Sequence, residues 1–337
     1  MKIAVVGAGA IGGYLGGWLA AAGEDVTFIA RGANLEAIRA RGMRVIGEDG
    51  SELTGRGSAC EHPAEAGPHD VVFLTVKAHQ VAALAPELHH LCHSGTTIVT
   101  TQNGIPWWYF HKHGGPYDGR PVRSVDPDGT IARSIDPDRI VGAVVYPAAN
   151  LVAPGVVQVV EGRRFTLGEP DRSESPRARG ISECLTKAGF KAPVTRDIRG
   201  EIWLKLWGNL SFNPISALTH AALEELLKFS LTRELCLDLM REAEAIAARL
   251  GITFRVGMEK RIAGAEKVGA HKTSMLQDVE AGKPLELEAL LGAVVELGRL
   301  TETTTPHIDT VYACTSLLAR TLTVRRGRLA ITGLPTD

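Results

Sequence analysis

An excess of either charge is missing from this sequence of 337 residues, in which 37 lysines and arginines balance 38 aspartates and glutamates. The formal net charge of −1 gives no electrostatic basis for binding nucleic acid or an anionic membrane, so we expect neither partner. Cysteine is also scarce, with five widely spaced residues and no CxxC pair. This odd, scattered set argues against a disulfide framework and favours a reducing, cytoplasmic location.

Charged side chains are absent between Lys2 and Glu24, which raises the alternative of a signal peptide or membrane anchor. Glycine is frequent in this stretch, its basic end is a single lysine, and a second strand pattern, VTFIAR, follows directly. We therefore expect a folded element here and no membrane segment. The chain length and a hydrophobic fraction of 45% suit two globular domains with buried cores.

The chain begins with the order strand, glycine turn, helix and strand. A β-branched run at Lys2–Val6 leads into GAGAIG, and this context makes the GxGxxG spacing a prediction of dinucleotide binding. Gly7 permits the tight turn, Gly9 lets the backbone approach a pyrophosphate, and Gly12 lets the helix close on the strand. Backbone N–H groups at the helix start would hold the phosphates. The predicted cofactor-binding turn consists of Gly7, Ala8, Gly9, Ala10, Ile11 and Gly12.

The end of the second strand predicts which dinucleotide binds. An acid at this place accepts a hydrogen bond from the ribose 2′-hydroxyl of NAD, whereas a 2′-phosphate favours an arginine. Glu24 and Asp25 precede the strand, and Arg31 follows it. A guanidinium can bind phosphate with two hydrogen bonds, so we predict NADPH or NADP+ as the cofactor. A solvated loop arginine is the alternative.

Two further strands end in polar residues. A buried strand predicted over Val71–Val76 is followed by Lys77, and the strand pattern TTIVTTQNG ends in Asn103. Ligands of open α/β sheets bind beyond the carboxyl ends of the strands, so both side chains are candidates to meet cofactor ribose or substrate. Taken singly, each could be an ordinary polar residue at a strand end.

The second half of the chain has helical periodicity from Asp197, which can cap the first of these helices. A second helix is predicted from Thr232 to Leu250, and Pro284 suits the first turn of a third. We predict an α/β fold, with a Rossmann-type doubly wound sheet in an NADP-binding domain (residues 1–196) and an all-α substrate and dimerisation domain (residues 197–337). The cleft is expected where the strand ends of the first domain face these helices.

The segment LKLWGNLSFNP places Lys205, Asn209 and Asn213 one helical turn apart on a single face, which we call the lysine–asparagine stripe. Lys205 is the only charged residue between Glu201 and Glu224, whereas a solvated face would carry several charges. A half-exposed helix with incidental amides is the alternative. We interpret the stripe as a cleft wall, because an ammonium beside a ketone can stabilise developing negative charge and donate the proton.

The segment SMLQDVEAGKPLELEAL contains Ser274 and Glu286 around a predicted turn. The helix dipole alone explains an acid at a helix start, and acceptance of a substrate hydroxyl explains it equally well. In LHHLCHSG, His89 and His93 lie near Cys92, but the segment sits between a predicted helix and a strand. We predict a polar helix end there and no metal site.

Together these segments resemble the ketopantoate reductase (2-dehydropantoate 2-reductase) family over nearly the whole chain. The resemblance rests on GAGAIG, the strand-end arginine, TVKAHQ, TQNG, LKLWGNLSFNP and SMLQDVEAGKPLE. It implies reduction of the 2-keto group of ketopantoate by NADPH, which gives pantoate for pantothenate and coenzyme A synthesis. It also implies a helical second domain like the C-terminal domain of 6-phosphogluconate dehydrogenase, and a homodimer.

The resemblance also implies roles for the candidate residues. Lys205 would be the acid at the carbonyl, Glu286 would hold the substrate hydroxyl, and Lys77 would help hold the cofactor. The residues expected to orient the substrate are Asn103, Asn209, Asn213 and Ser274.

Two departures from simple family members keep other substrates open. The segment IPWWYF places bulky aromatic residues after Asn103, and the segment 116–138 is extra. One alternative function is a related NADP-dependent dehydrogenase that acts on a different hydroxy or keto acid. Another is a non-catalytic NADPH-binding sensor, although such a protein need not keep a proton donor.

Overall fold

The structure, a computed structural model, describes residues 1–331 and divides the chain into two compact units, Met1–Glu201 and Ile202–Asp337. All strands of the described residues belong to the first unit. They are β1 (Lys2–Val6), β2 (Asp25–Ile29), β3 (Met43–Ile46), β4 (Glu52–Gly55), β5 (Ser58–Cys60), β6 (His69–Leu74), β7 (Cys92–Thr100), β8 (Ile140–Val145), β9 (Ala148–Ala153), β10 (Val156–Glu161) and β11 (Phe165–Gly168).

Helices occur in both units. They are α1 (Ala10–Ala21), α2 (Gly32–Arg41), α3 (Pro63–Ala66), α4 (Val81–Leu84), α5 (Thr130–Ser134), α6 (Pro176–Lys187), α7 (Ile198–Thr219), α8 (Leu223–Lys228), α9 (Ser230–Arg249), α10 (Met258–Glu266), α11 (Ser274–Ala281), α12 (Ala293–Leu300) and α13 (Pro306–Arg325). Among residues 1–331, no helix is both long and apolar enough to cross a membrane.

The main sheet of the first unit has seven strands in the order β11-β8-β7-β6-β1-β2-β5. All its pairs are parallel except β11 with β8, so the other six strands place their carboxyl ends at one edge. This confirms the predicted Rossmann-like sheet, which has the antiparallel strand β11 at one end. Because β1 lies inside the sheet, the glycine turn that follows it is at this carboxyl edge.

A second sheet, with the strand order β4-β3-β10-β9, was not predicted from the sequence. It packs on α1, which also contacts β1 and β2 of the main sheet. A side chain at Gly16 would overlap Phe28 of the main sheet, whereas one at Gly13 would lie 2.8 Å from Val157 of the second sheet. The glycines of α1 therefore allow close approach of both sheets to the helix.

The aromatic segment IPWWYF packs into the core of the first unit. Trp108, Tyr109 and Phe110 are at most 2% exposed, and the Trp108 indole donates to Thr100 Oγ1 at 2.9 Å. These three aromatic rings are therefore part of the buried core of the first unit.

A buried arginine at the start of α7 holds the same segment in place. The Arg199 guanidinium donates to the backbone carbonyls of Tyr109, Pro170 and His111 at 2.6–2.7 Å. Three carbonyls thus satisfy a cation that is only 1% exposed. The same contacts fix the first turn of α7 against the segment that follows Asn103.

The described residues of the second unit, 202–331, contain helices and no strand, which confirms the predicted helical domain. Helix α7 begins after Asp197, whose side chain accepts from the Gly200 backbone N–H at 3.0 Å, as predicted for a cap. The predicted helix over Thr232–Leu250 is confirmed as α9. The prediction for Pro284 is wrong by three residues, because the helical backbone starts only at Leu287, with a π-helical turn before α12.

Candidate active site

The glycine turn between β1 and α1 has the geometry that close approach of a ligand requires. Gly7 has a φ of +101°, a conformation that side chains other than glycine rarely adopt. A Cβ at Gly12 would overlap the Gly7 carbonyl oxygen and lie 2.5 Å from Thr75 Oγ1. At Gly9, by contrast, an added Cβ would meet nothing within 4 Å, so this position faces open space.

The start of α1 suits the phosphates of a dinucleotide. Gly9 is the N-cap and supplies no side-chain acceptor, and the first turn of the helix carries no acid. Backbone N–H groups in a first helical turn lack intrahelical partners and bear the positive end of the helix dipole. The turn therefore fits a pyrophosphate, which would complete hydrogen bonds that the protein side chains leave unmade.

Two polar side chains form hydrogen bonds at the carboxyl edge of the sheet, and neither of them was identified from the sequence. The Thr75 hydroxyl contacts the Gly7 carbonyl at 2.8 Å, which ties the end of β6 to the glycine turn. The Gln102 amide donates to the carbonyls of Leu74 and Val76 at 2.6 and 2.9 Å. These bonds join the segment leading to Lys77 with the segment leading to Asn103, and both of those side chains are half-buried.

Arg31 lies exposed at the end of β2 and is the N-cap residue of α2. The neighbouring Asn34 was also missed from the sequence. Its amide donates to the Ala8 carbonyl at 2.6 Å, and its side-chain oxygen accepts from the Gly155 backbone N–H at 2.7 Å. Asn34 thereby fixes the start of α2 relative to the glycine turn, so that the arginine projects from a braced backbone.

In the second unit, α7 carries the lysine–asparagine stripe, and Lys205 and Asn209 are half-buried. Burial lowers the pKa of Lys205 from 10.5 to about 8, and the negative charge of Glu286 opposes part of this effect. A value of about 8 leaves Lys205 mostly protonated at pH 7 and makes it a better proton donor than an exposed lysine.

The second unit also brings Asn213 and Ser274 together, with 3.4 Å between the Asn213 amide nitrogen and Ser274 Oγ. Asn213 is 6% exposed, whereas Ser274 is exposed at the first position of α11. The pair joins one end of the stripe to the segment that was predicted to bind substrate. Glu286 follows in the extended stretch that connects α11 with the π-helical turn.

Among residues 1–331, no cluster of three or more histidine, cysteine or acidic side chains is suited to a metal. The second unit contributes an ammonium, a carboxylate, two amides and a hydroxyl, and the first unit contributes a turn that fits a dinucleotide.

Comparison with known proteins adds a family to this geometry. Residues 3–172 match the profile of "Ketopantoate reductase PanE/ApbA", and residues 197–319 match that of its C-terminal part. The chain belongs to the ketopantoate reductase family. It is accordingly an oxidoreductase that uses a nicotinamide cofactor, and the two matched ranges cover both units.

Individual relatives agree with the family profile. A 2-dehydropantoate 2-reductase from Mesorhizobium japonicum is 51% identical over 97% of this chain and 99% of its own length. A structure assigned to the ketopantoate reductases, from Ralstonia solanacearum MolK2, has a TM-score of 0.91 and 41% identity, covering 95% of this chain and 98% of that one. D-mandelate dehydrogenase with NADH and anilino(oxo)acetate shares the fold, with a TM-score of 0.81, 21% identity, and coverage of 96% and 99%.

Proposed function

We propose that this protein reduces a 2-keto acid with NADPH, and that the substrate is 2-dehydropantoate, which becomes pantoate for pantothenate and coenzyme A biosynthesis. The observation that carries the proposal is Lys205, a half-buried ammonium with a pKa of about 8 on the same helical face as two amides. The name of the relative at 51% identity supports this choice of substrate.

The bound nicotinamide would supply a hydride to the carbonyl carbon of the substrate. Lys205 donates a proton to the carbonyl oxygen as negative charge develops there, which neutralises the alkoxide. Glu286 accepts a hydrogen bond from the substrate hydroxyl and, through its charge, keeps Lys205 protonated. The residues that orient the substrate in this proposal are Asn103, Asn209, Asn213 and Ser274.

In this proposal the cofactor is held by the glycine turn, Lys77 and Asn103. Arg31 gives the site its preference for NADPH over NADH. Arg31 supports this choice because it is exposed at the end of β2 and its backbone is braced through Asn34. A guanidinium binds a 2′-phosphate with paired hydrogen bonds, and NADH lacks that phosphate.

Turnover of 2-dehydropantoate by the purified protein, followed by loss of NADPH absorbance, tests the proposed function. Comparison with a panel of other 2-keto acids decides between this substrate and a related acid. Lys205→Ala should lower turnover by at least about 10²- to 10⁴-fold and leave NADPH affinity nearly unchanged. Absence of turnover with every acid, despite NADPH binding, would favour a non-catalytic sensor and refute the proposal.

A cytoplasmic homodimer completes the proposal. Helix α13 presents Leu317 and Val324, which are 65% and 74% exposed, on a face that a second copy would cover. Sedimentation measurements should give twice the chain mass of 36.0 kDa, and Leu317→Glu should shift the equilibrium towards monomer. A monomer at micromolar concentration would contradict this part of the proposal.

A further inference from the structure

An arginine outside the proposed catalytic set contacts the surface of α7, the helix that carries Lys205. The guanidinium of Arg261, from α10, sits over Gly208 of α7, where an added Cβ would overlap Nη2 and lie 2.9 Å from Cζ. Glycine inside a helix is unfavourable relative to alanine. At Gly208 this glycine makes room for a cation on the helix surface.

The guanidinium is also oriented by an aromatic ring. Its Cζ lies 5.8 Å from the centroid of Phe212, whose side chain is 4% exposed. This distance is within the range of a cation–π contact, which fixes the position of an otherwise flexible side chain. Gly208 and Phe212 are one helical turn apart, so the guanidinium lies across both residues. We call the surface formed by Gly208 and Phe212 the seat of Arg261.

This seat borders the lysine–asparagine stripe. Gly208 is three residues after Lys205 and Phe212 is three residues after Asn209, and residues at this spacing are neighbours on a helix surface, about 5–6 Å apart at Cβ. Arg261 therefore adds a second positive charge beside the proton donor. Both charges belong to the second unit, so they lie within one compact body.

We propose that Arg261 binds the carboxylate of the substrate and makes the enzyme specific for 2-keto acids over neutral ketones. The inference rests on the proposed function, because a 2-keto acid carries its carboxylate one bond from the carbonyl carbon that Lys205 serves. A guanidinium matches a carboxylate with two parallel hydrogen bonds, and such charge-assisted bonds are about twice as strong as those of neutral amides. Five N–H donors let Arg261 keep other partners while it binds the acid.

A carboxylate anchor separate from Lys205 also suits the chemistry. If the substrate carboxylate bound to Lys205 itself, it would stabilise the protonated form and weaken the proton donor. With the carboxylate held by Arg261, the ammonium remains available for the carbonyl oxygen. Arg261 thus binds the substrate carboxylate, and Lys205 transfers the proton.

The test compares a 2-keto acid with its neutral methyl ester in the full-length protein with NADPH. Arg261→Met should raise KM for the acid by about 10- to 100-fold, change KM for the ester less than about threefold, and leave NADPH affinity unchanged. Gly208→Ala should act in the same direction, because its Cβ displaces the guanidinium. Lys260→Met, which removes an exposed charge from the same helix, is the matched control and should change neither KM.

Equal losses for acid and ester, or an unchanged KM for the acid, would overturn the inference and leave Arg261 a purely structural role. If Arg261→Met fails to fold, Arg261→Lys keeps the charge but loses the paired hydrogen bonds, and should still raise KM for the acid selectively. Absence of wild-type turnover would refute the proposed function instead. In that case, calorimetric titration of the acid into the NADPH-bound wild type and Gly208→Ala would still decide whether Arg261 binds carboxylate.

Discussion

The pH dependence of reduction follows from the depressed pKa of Lys205. With a pKa of about 8, about 90% of the lysine is protonated at pH 7 and about 10% at pH 9. If Lys205 donates the proton, kcat/KM for reduction should fall about tenfold between these pH values. A lysine at its ordinary value of 10.5 would stay almost fully protonated over the same range, so the two cases are easily distinguished.

The assay is initial-rate oxidation of NADPH at low substrate concentration, in buffers of constant ionic strength from pH 6 to pH 10. Glu286→Gln provides a second measurement, because Glu286 raises the pKa of Lys205. Its loss should move the falling limb of the profile, the pH range over which kcat/KM decreases, to lower pH. Glu288→Gln removes a nearby exposed acid that interacts with Tyr312, and should leave the limb in place.

Rates for oxidation of the hydroxy acid should show the opposite trend, rising as pH approaches 8, because neutral Lys205 then accepts the proton. A kcat/KM for reduction that stays constant to pH 9.5 would refute the assignment of Lys205 as a donor with a depressed pKa. A limb that does not move in Glu286→Gln would show that another group titrates.

Four other substitutions give separate outcomes. Arg31→Ala should weaken NADPH binding more than NADH binding in fluorescence titrations, and equal losses would refute the 2′-phosphate contact. Gly12→Ala should lower both NADPH affinity and the melting temperature because its Cβ overlaps the Gly7 carbonyl, whereas Gly9→Ala, in open space, should lower affinity alone. Arg199→Met should reduce the free energy of unfolding in urea by about 3 kcal/mol, since three carbonyls lose a donor, and a loss below about 1 kcal/mol would contradict its structural role.

The sequence predicted those strands, turns and helices that short-range residue patterns determine. The strand Lys2–Val6 has the same bounds in the structure, and GAGAIG forms the turn between β1 and α1 as expected. Alternation and glycine spacing suffice here because the strand is buried on both faces and the turn needs a positive φ. Helix α9 was equally predictable from the sequence, since its apolar periodicity runs for five turns to Gly251.

The second sheet could not be predicted as a sheet, although the run VVQVV of β10 has a strand pattern. Its strands are short and largely half-exposed, and the pairing of β3 with β10 joins Val45 to Val157 across more than a hundred residues. A polar–apolar pattern over four residues cannot specify such a partner. The same limit hid Gln102, whose role depends on carbonyls from a neighbouring strand. The burial of the aromatic run was hidden as well, because composition alone cannot distinguish a pocket lining from a packed core.

Confinement of α1 between two sheets has a consequence for how cofactor preference can be altered. A helix packed against two sheets tolerates few substitutions, since Gly13 and Gly16 contact side chains of different sheets. Libraries that seek a switch to another nicotinamide should therefore keep residues 7–17 constant and vary the exposed end of β2. Natural divergence within this scaffold is subject to the same restriction, so the phosphate cradle should change more slowly than the position that distinguishes one dinucleotide from another.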